Sequence, residues 1–241
     1  MKPLNKNGFT IIETMLFLGI SGMLIVGILI GTGTSINVQR YHDSVTSFKS
    51  FLQQQYSDVS NIRNESITNP CYGDETQNNP RGQSDCVVLG RYITTLDSKS
   101  FTVKSVIGYI PAYSLSPDND VDALKLYNIT ISPSTSDSDS YNLEWGSSIA
   151  KLDGDPMLFS MLILRSPVSG IIRTFIDNNS SVSESKIGDL LTSSQSSLSK
   201  TITACINSNG LLTDNNMAVF VNANSTGASG IETLGDDSGC L

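Results

Sequence analysis

Residues 14–39 carry no charged side chain, and no other feature constrains the chain as much. Within them runs MLFLGISGMLIVGILIG, residues 15–31. At about 1.5 Å per residue, about 20 helical residues cross the ~30 Å hydrocarbon core of a bilayer. The run is therefore a membrane-span candidate. Lys2 and Lys6 precede it. Basic residues stay on the cytoplasmic side, which puts the N-terminus inside and the remainder outside. A removable secretory signal peptide is the plain alternative. Against it stand an apolar run longer than the usual ~7–15 residues and the lack of an A-x-A-like cleavage site. The first cysteine is Cys71, so no lipid-attachment cysteine follows the run.

The chain has 241 residues, enough for one to two domains. Fifteen basic residues face twenty-three acidic ones, a net charge of -8. A nucleic-acid binder holds phosphates with a basic surface, so direct nucleic-acid binding is not expected. His42 is the single histidine, which excludes any mechanism needing two in one chain. The charged fraction is 16%. That is below the roughly 25% of ordinary soluble domains, so neutral Ser and Asn must supply much of the polar surface.

Glu13 is out of place at the start of the apolar run, where a carboxylate costs a few kcal/mol unless it finds a partner. It ends the stretch Lys6-Asn7-Gly8-Phe9-Thr10-Ile11-Ile12-Glu13. A short basic leader ending in Gly, then Phe, then Thr-x-x-Glu, then a long apolar helix resembles the type IV prepilin family. The resemblance covers residues 1 to about 35. It implies a leader over residues 1–8, removed by a prepilin peptidase between Gly8 and Phe9, with methylation of the new Phe9 amine. The helix would stay in the mature subunit, Glu13 would be its fifth residue, and Phe9, Thr10 and Glu13 would serve assembly. In the family this glutamate pairs with the N-terminal amine of a neighbouring subunit. A cation is what an intramembrane carboxylate needs. Loss of Lys2 and Lys6 leaves thirteen basic against twenty-three acidic side chains, a balance of −10. The rival reading is a plain signal anchor with a stray glutamate.

Beyond the apolar run, Val38, Tyr41, Val45, Phe48, Leu52, Val59 and Ile62 recur at spacings of 3, 4 and 7, with Tyr56 nearby. This is a helical stripe. It predicts one nearly continuous helix from about Phe9 to about Asn64, ended by the polar stretch around Pro70. Residues 9–36 form its transmembrane or filament-core part, and residues 37–69 an amphipathic outer part that packs on a globular domain. Gly27, Gly31 and Gly33 lie near the membrane exit. They either let the helix bend or melt in a filament, or permit close helix–helix approach. His42 sits at the stripe's edge and receives no role.

Residues 70–241 read as an extracellular, β-rich domain, large enough to bury a core. Candidate strands are 86–93, 101–110, 124–131, 141–145, 158–164, 171–176, 201–206 and 217–221. Residues 132–140 are a polar loop, 180–200 carry a weak helical pattern at Ile187, Leu190, Leu191 and Leu198, and Asn209-Gly210 reads as a turn. The fold class is α+β. The resemblance implies the pilin arrangement, with the outer half of the helix lying on an antiparallel sheet. Residues 203–210 and 218–224 loosely resemble the strand pair of H-type minor pseudopilins.

Cys71, Cys86, Cys205 and Cys240 form no C-x-x-C, and the spacing required of a zinc site is absent. An even number outside the cytoplasm points to disulfides. Of three connectivities, Cys71–Cys86 with Cys205–Cys240 is expected, since both bridges close local loops. Asp118, Asp120 and Asp122 alternate as calcium ligands can, but the glycine and distal glutamate of an EF-hand are missing. No cofactor is expected, calcium at this cluster being the one that the residues allow. No G-x-S-x-G or phosphate-cradling loop appears, and the lone histidine lies on the helix, so no enzyme is expected.

These readings lead to a structural subunit of a type IV pilus-like filament for adhesion, motility or DNA uptake. It would be held in the cytoplasmic membrane with its N-terminus inside, then displayed at the cell surface. Its partners would be other pilins, a prepilin peptidase, the membrane and the inner-membrane assembly machinery. A minor pilin or pseudopilin of a type II secretion or competence system, and a signal-anchored receptor that never polymerises, are the alternatives.

Overall fold

The computed structural model describes residues 10–61, 87–95, 97–109, 119–132, 138–177, 184–192, 201–209, 216–222, 225–235 and 238–240. The expectations at residues 1–8, Phe9, Ile62, Asn64, Pro70, Cys71, Cys86, Asp118, Leu198 and Gly210 lie outside them.

Ile11–Ser60 form a single helix, α1, about 75 Å long at 1.5 Å per residue. No proline falls within it, and the helix runs unbroken through Gly27, Gly31 and Gly33. It ends with the Asn61 N–H donating to the Ser57 carbonyl at 3.0 Å. Arg165 Nη1 meets the Ser60 carbonyl at 3.2 Å, so a cation satisfies one of the helix's terminal acceptors.

The remaining elements are β1 (Val87–Thr95), β2 (Ser100–Tyr109), α2 (Asp120–Leu126), β3 (Asn128–Ile131), β4 (Ser138–Asn142), β5 (Ser148–Ala150), β6 (Ser160–Arg165), β7 (Ile172–Asp177), α3 (Ile187–Thr192), β8 (Ile202–Asn207), β9 (Met217–Val221) and β10 (Ile231–Leu234). Among the described residues the strands make two sheets. One has the order β3-β2-β1-β6-β7, with β4 also on β2, and the other β10-β9-β8-β5. Every pairing is antiparallel. The chain is thus α+β.

Period-two alternation divides the first sheet between two cores. Ile93, Met161, Ile163, Ile172 and Ile176 face α1. Tyr92, Leu162, Leu164 and Phe175 face the opposite way, under Leu124 of α2 and Ile187, Leu190 and Leu191 of α3. β6 is consequently buried on both faces, which is why it reads as an unbroken apolar run. The second sheet presents Ile149, Ile202, Ala204, Ile206, Val219, Val221 and Ile231 to the same core as α1. The outer half of the helix therefore fills the space between two sheets.

β1 passes so close to β6 that only glycine fits at one point. A Cβ on Gly90 would stand 1.9 Å from the Ile163 carbonyl oxygen, beside the bulge between Val88 and Gly90.

Several expected strands resolve differently. Residues 124–131 are the end of α2 followed by β3. The Asn119 side chain accepts from the Asp122 N–H at 3.0 Å, an N-cap that starts a short helix and leaves only four residues for the strand. Residues 141–145 do not form one strand: β4 stops at Asn142, and Glu144–Gly146 is a 3-10 turn. The polar stretch 132–140 contains the first residues of β4, held by pairing with β2. β5 and β10 lack an expectation. β5 has three residues and owes its extension to β8. β10 is an edge strand of four.

Candidate functional site

Residues 11–36 are exposed throughout, apart from half-buried Ser21. Ile11 is 76% exposed and Met23 82%. Partial burial resumes at Asn37, and Tyr41 is the first fully buried residue of the helix. Each hydroxyl at the outer end of the bare segment is turned back onto its own helix. Thr32 Oγ1 donates to the Ile28 carbonyl at 2.9 Å, and Thr34 and Ser35 donate to that of Gly31 at 3.0 and 3.1 Å. The backbone and these three hydroxyls are thus satisfied within the helix, as a segment in hydrocarbon requires. By length and composition α1 is a candidate membrane anchor or signal.

At its start, Thr10 and Glu13 form a capping box. The Glu13 N–H donates to Thr10 Oγ1 at 3.3 Å. Glu13 Oε2 accepts from the Thr10 N–H at 2.9 Å and from its hydroxyl at 3.1 Å. Thr-x-x-Glu at a helix start is itself the signature of this motif. Glu13 therefore has a role within its own chain that the sequence reading missed.

The outer half is fixed by aromatic packing and by two buried phenols. Phe48 lies 5.0 Å from Phe101, and Phe51 stacks on Tyr141 at 4.3 Å, between ring centroids. The Tyr41 hydroxyl donates to the Ile206 carbonyl and accepts from the Met217 N–H, both at 2.8 Å. It thereby ties α1 to the ends of β8 and β9 nearest the bare segment. Farther out, Tyr56 donates to Thr174 Oγ1 at 2.8 Å, and Thr174 Oγ1 donates in turn to the Ser225 carbonyl at 2.9 Å.

Beside Tyr41 lies a turn that sequence reasoning assigned to a strand. Trp145 has φ 57° and Gly146 φ 73°. A left-handed backbone at a bulky non-glycine residue costs about 1–3 kcal/mol and persists only where its surroundings hold it. Asn209 Nδ2 donates to the Gly146 carbonyl at 3.0 Å, and the Ser147 N–H donates to the Glu144 carbonyl at 3.1 Å. Ser47 of α1 donates to Glu144 Oε1 at 3.1 Å. Trp145 stays 50% exposed, and the Arg40 guanidinium lies over its ring, 4.8 Å from the centroid.

The remaining expected sites are placed as follows. Cys205 and Cys240 are joined by a disulfide, their Cα atoms 5.8 Å apart. Asp120 accepts from Ser166 at 2.8 Å and pairs with Arg173 at 3.3 Å. The Ser169 and Ser166 hydroxyls, with Arg173, hold its carboxyl below the ordinary range. Asp122 accepts from Asn119 Nδ2 at 2.7 Å and lies 3.6 Å from Lys125 Nζ. Asp120 and Asp122 are thus engaged separately. Among the described residues no three His, Cys, Asp or Glu side chains form a group that could hold a metal.

Compared with protein-family models, curated proteins and solved structures, the chain has no match.

Proposed function

We propose that this chain is a structural subunit of a type IV pilus-like filament, held in the membrane by residues 11–36 and polymerised through them. The observation that carries the reading is the division of α1. Its outer half is a buried structural element, while its inner half is bare, apolar and free of internal contacts. Such a surface needs lipid before assembly and other apolar helices after it. The Gly8-Phe9-Thr10 stretch and Glu13 support the pilin reading in particular, with processing between Gly8 and Phe9 and a carboxylate that sets register against a neighbour's amine. The globular part, closed by the Cys205–Cys240 disulfide, suits an oxidising extracellular setting.

Mass analysis of the N-terminus in cells that express a prepilin peptidase tests this directly. A chain beginning at methylated Phe9 is expected, and an intact Met1 overturns the reading. Glu13→Gln should leave membrane insertion intact and reduce filament yield at least severalfold.

The capping box favours a second reading, a signal-anchored surface protein that does not polymerise. There Glu13 has only its helix-capping role. A chain that keeps its leader and forms no filaments, with Glu13→Gln changing only helix stability, would support this second reading.

A further inference from the structure

Trp145 is the only tryptophan of the chain. It is exposed and strained, and Asn209, Glu144 and Ser47 hold its turn in place. Within the chain its ring meets the Arg40 guanidinium. A strained, braced and exposed indole is poorly explained by folding and well explained by an external partner.

The position of the pair says which partner. Tyr41 marks the end of the globular part nearest the bare helix, bonded to the ends of β8 and β9, and Arg40 is its neighbour. If hydrocarbon begins just after Glu13, about 20 residues bring it to Gly33. Arg40 then stands about 10 Å above the hydrocarbon edge, just outside a headgroup layer about 5–8 Å thick. Side chains on a helix lean toward its N-terminus, so Arg40 reaches back toward the bilayer. Tryptophan prefers this interface, and arginine extends its charge to phosphate there. Asn207 and Asn209, neutral amides, flank the turn. The nearby Glu144 carboxylate is engaged by Ser47.

We infer that Trp145 and Arg40 form a seat for phospholipid headgroups, the indole in the interfacial layer and the guanidinium on a lipid phosphate, docking the globular part on the membrane surface before assembly. This rests on the reading that residues 11–36 span a bilayer.

The single tryptophan makes the test direct. The full chain is reconstituted in phosphatidylethanolamine–phosphatidylglycerol vesicles carrying a nitroxide on either the headgroup or the acyl-chain end. Trp145 emission should shift to the blue. It should be quenched severalfold more by the headgroup nitroxide than by the chain-end nitroxide, and be shielded from acrylamide. R40E should lose most of the headgroup quenching. Free access to acrylamide with no nitroxide quenching overturns the seat. So does shielding that grows with protein-to-lipid ratio and ignores both nitroxides, since a second copy then covers the ring. A W145F/L24W double variant, its indole near the middle of the span, reports the span separately, and its emission should be quenched by the chain-end nitroxide. If the double variant is quenched and Trp145 is not, the seat alone fails. If the double variant escapes quenching, the membrane-span reading fails and the seat with it.

Discussion

Residues 11–36 and 37–60 share one unbroken helix. Solvent reaches nearly all of the first segment, while Tyr41, Val45, Phe48, Leu52, Tyr56 and Val59 of the second are sealed between two sheets. The backbone is the same in both, since an α-helix satisfies its own amides in any solvent. The side chains decide what lies outside it. In the outer half an apolar stripe is paired with sheet residues, and fully burying each large side chain stabilises the fold by about 1.5–3 kcal/mol. In the inner half the apolar residues run all round and the chain itself covers none of them. A continuous helix can thus belong to the fold at one end and to its surroundings at the other.

The largest effect expected from this contrast is Phe48→Ala against Ile25→Ala. Phe48 is fully buried in the aromatic cluster. Its truncation should cost about 3–5 kcal/mol in urea unfolding of the globular part. Ile25 is bare, so its truncation should leave that stability within about 0.5 kcal/mol. Comparable losses from both would mean that the inner half packs on the domain after all.

Next comes removal of the Cys205–Cys240 bridge, which joins residues 35 apart. Replacing both cysteines by serine should lower the stability of the globular part by about 2–4 kcal/mol, chiefly by freeing the unfolded chain. Membrane insertion, assayed by protease protection in vesicles, should not change.

Tyr41→Phe removes the hydroxyl that serves Ile206 and Met217. Leaving those groups unpaired should cost about 1–3 kcal/mol. Amide exchange should rise first at Met217, where the tie between α1 and the second sheet is lost.

The smallest effect concerns pH. Burial raises the Tyr56 phenol above its ordinary value of 10.0, outweighing the Thr174 and Ser225 hydrogen bonds. The unfolded chain then releases this proton first. Stability is fully present below pH 10 and declines as pH rises from there through the folded value. Tyr56→Phe should flatten part of that decline. Some should remain, because burial also raises Tyr127 and Tyr141. An unchanged alkaline slope in the variant would remove Tyr56 from this account.

The long helix and its outward-facing polar residues were legible because a 3.6-residue period is written in consecutive side chains. Six of the named stripe residues, from Tyr41 to Val59, are buried in the structure. Phe51, Ser44 and Gln55, which the stripe omits, are buried beside them because two sheets cover a wider arc than one. The core strands were legible from β-branched and apolar runs, as in β6 and β7. Short elements were not. β5 exists because β8 supplies hydrogen bonds, and α2 because Asn119 caps it within a stretch whose apolar residues also suit a strand. At Glu13 the sequence pattern suggested a partner outside the chain, whereas the structure shows its carboxylate capping its own helix.

The sequence by itself determined that a charge-free apolar rod precedes a polar, β-rich part, because solvent preference and period are properties of neighbouring residues. Tertiary structure alone decided that the strands divide into two sheets around the outer half of α1. It also set Trp145 beside Arg40. Those juxtapositions join residues far apart in the chain, and only the closure of sheets around a common core brings such residues within bonding distance.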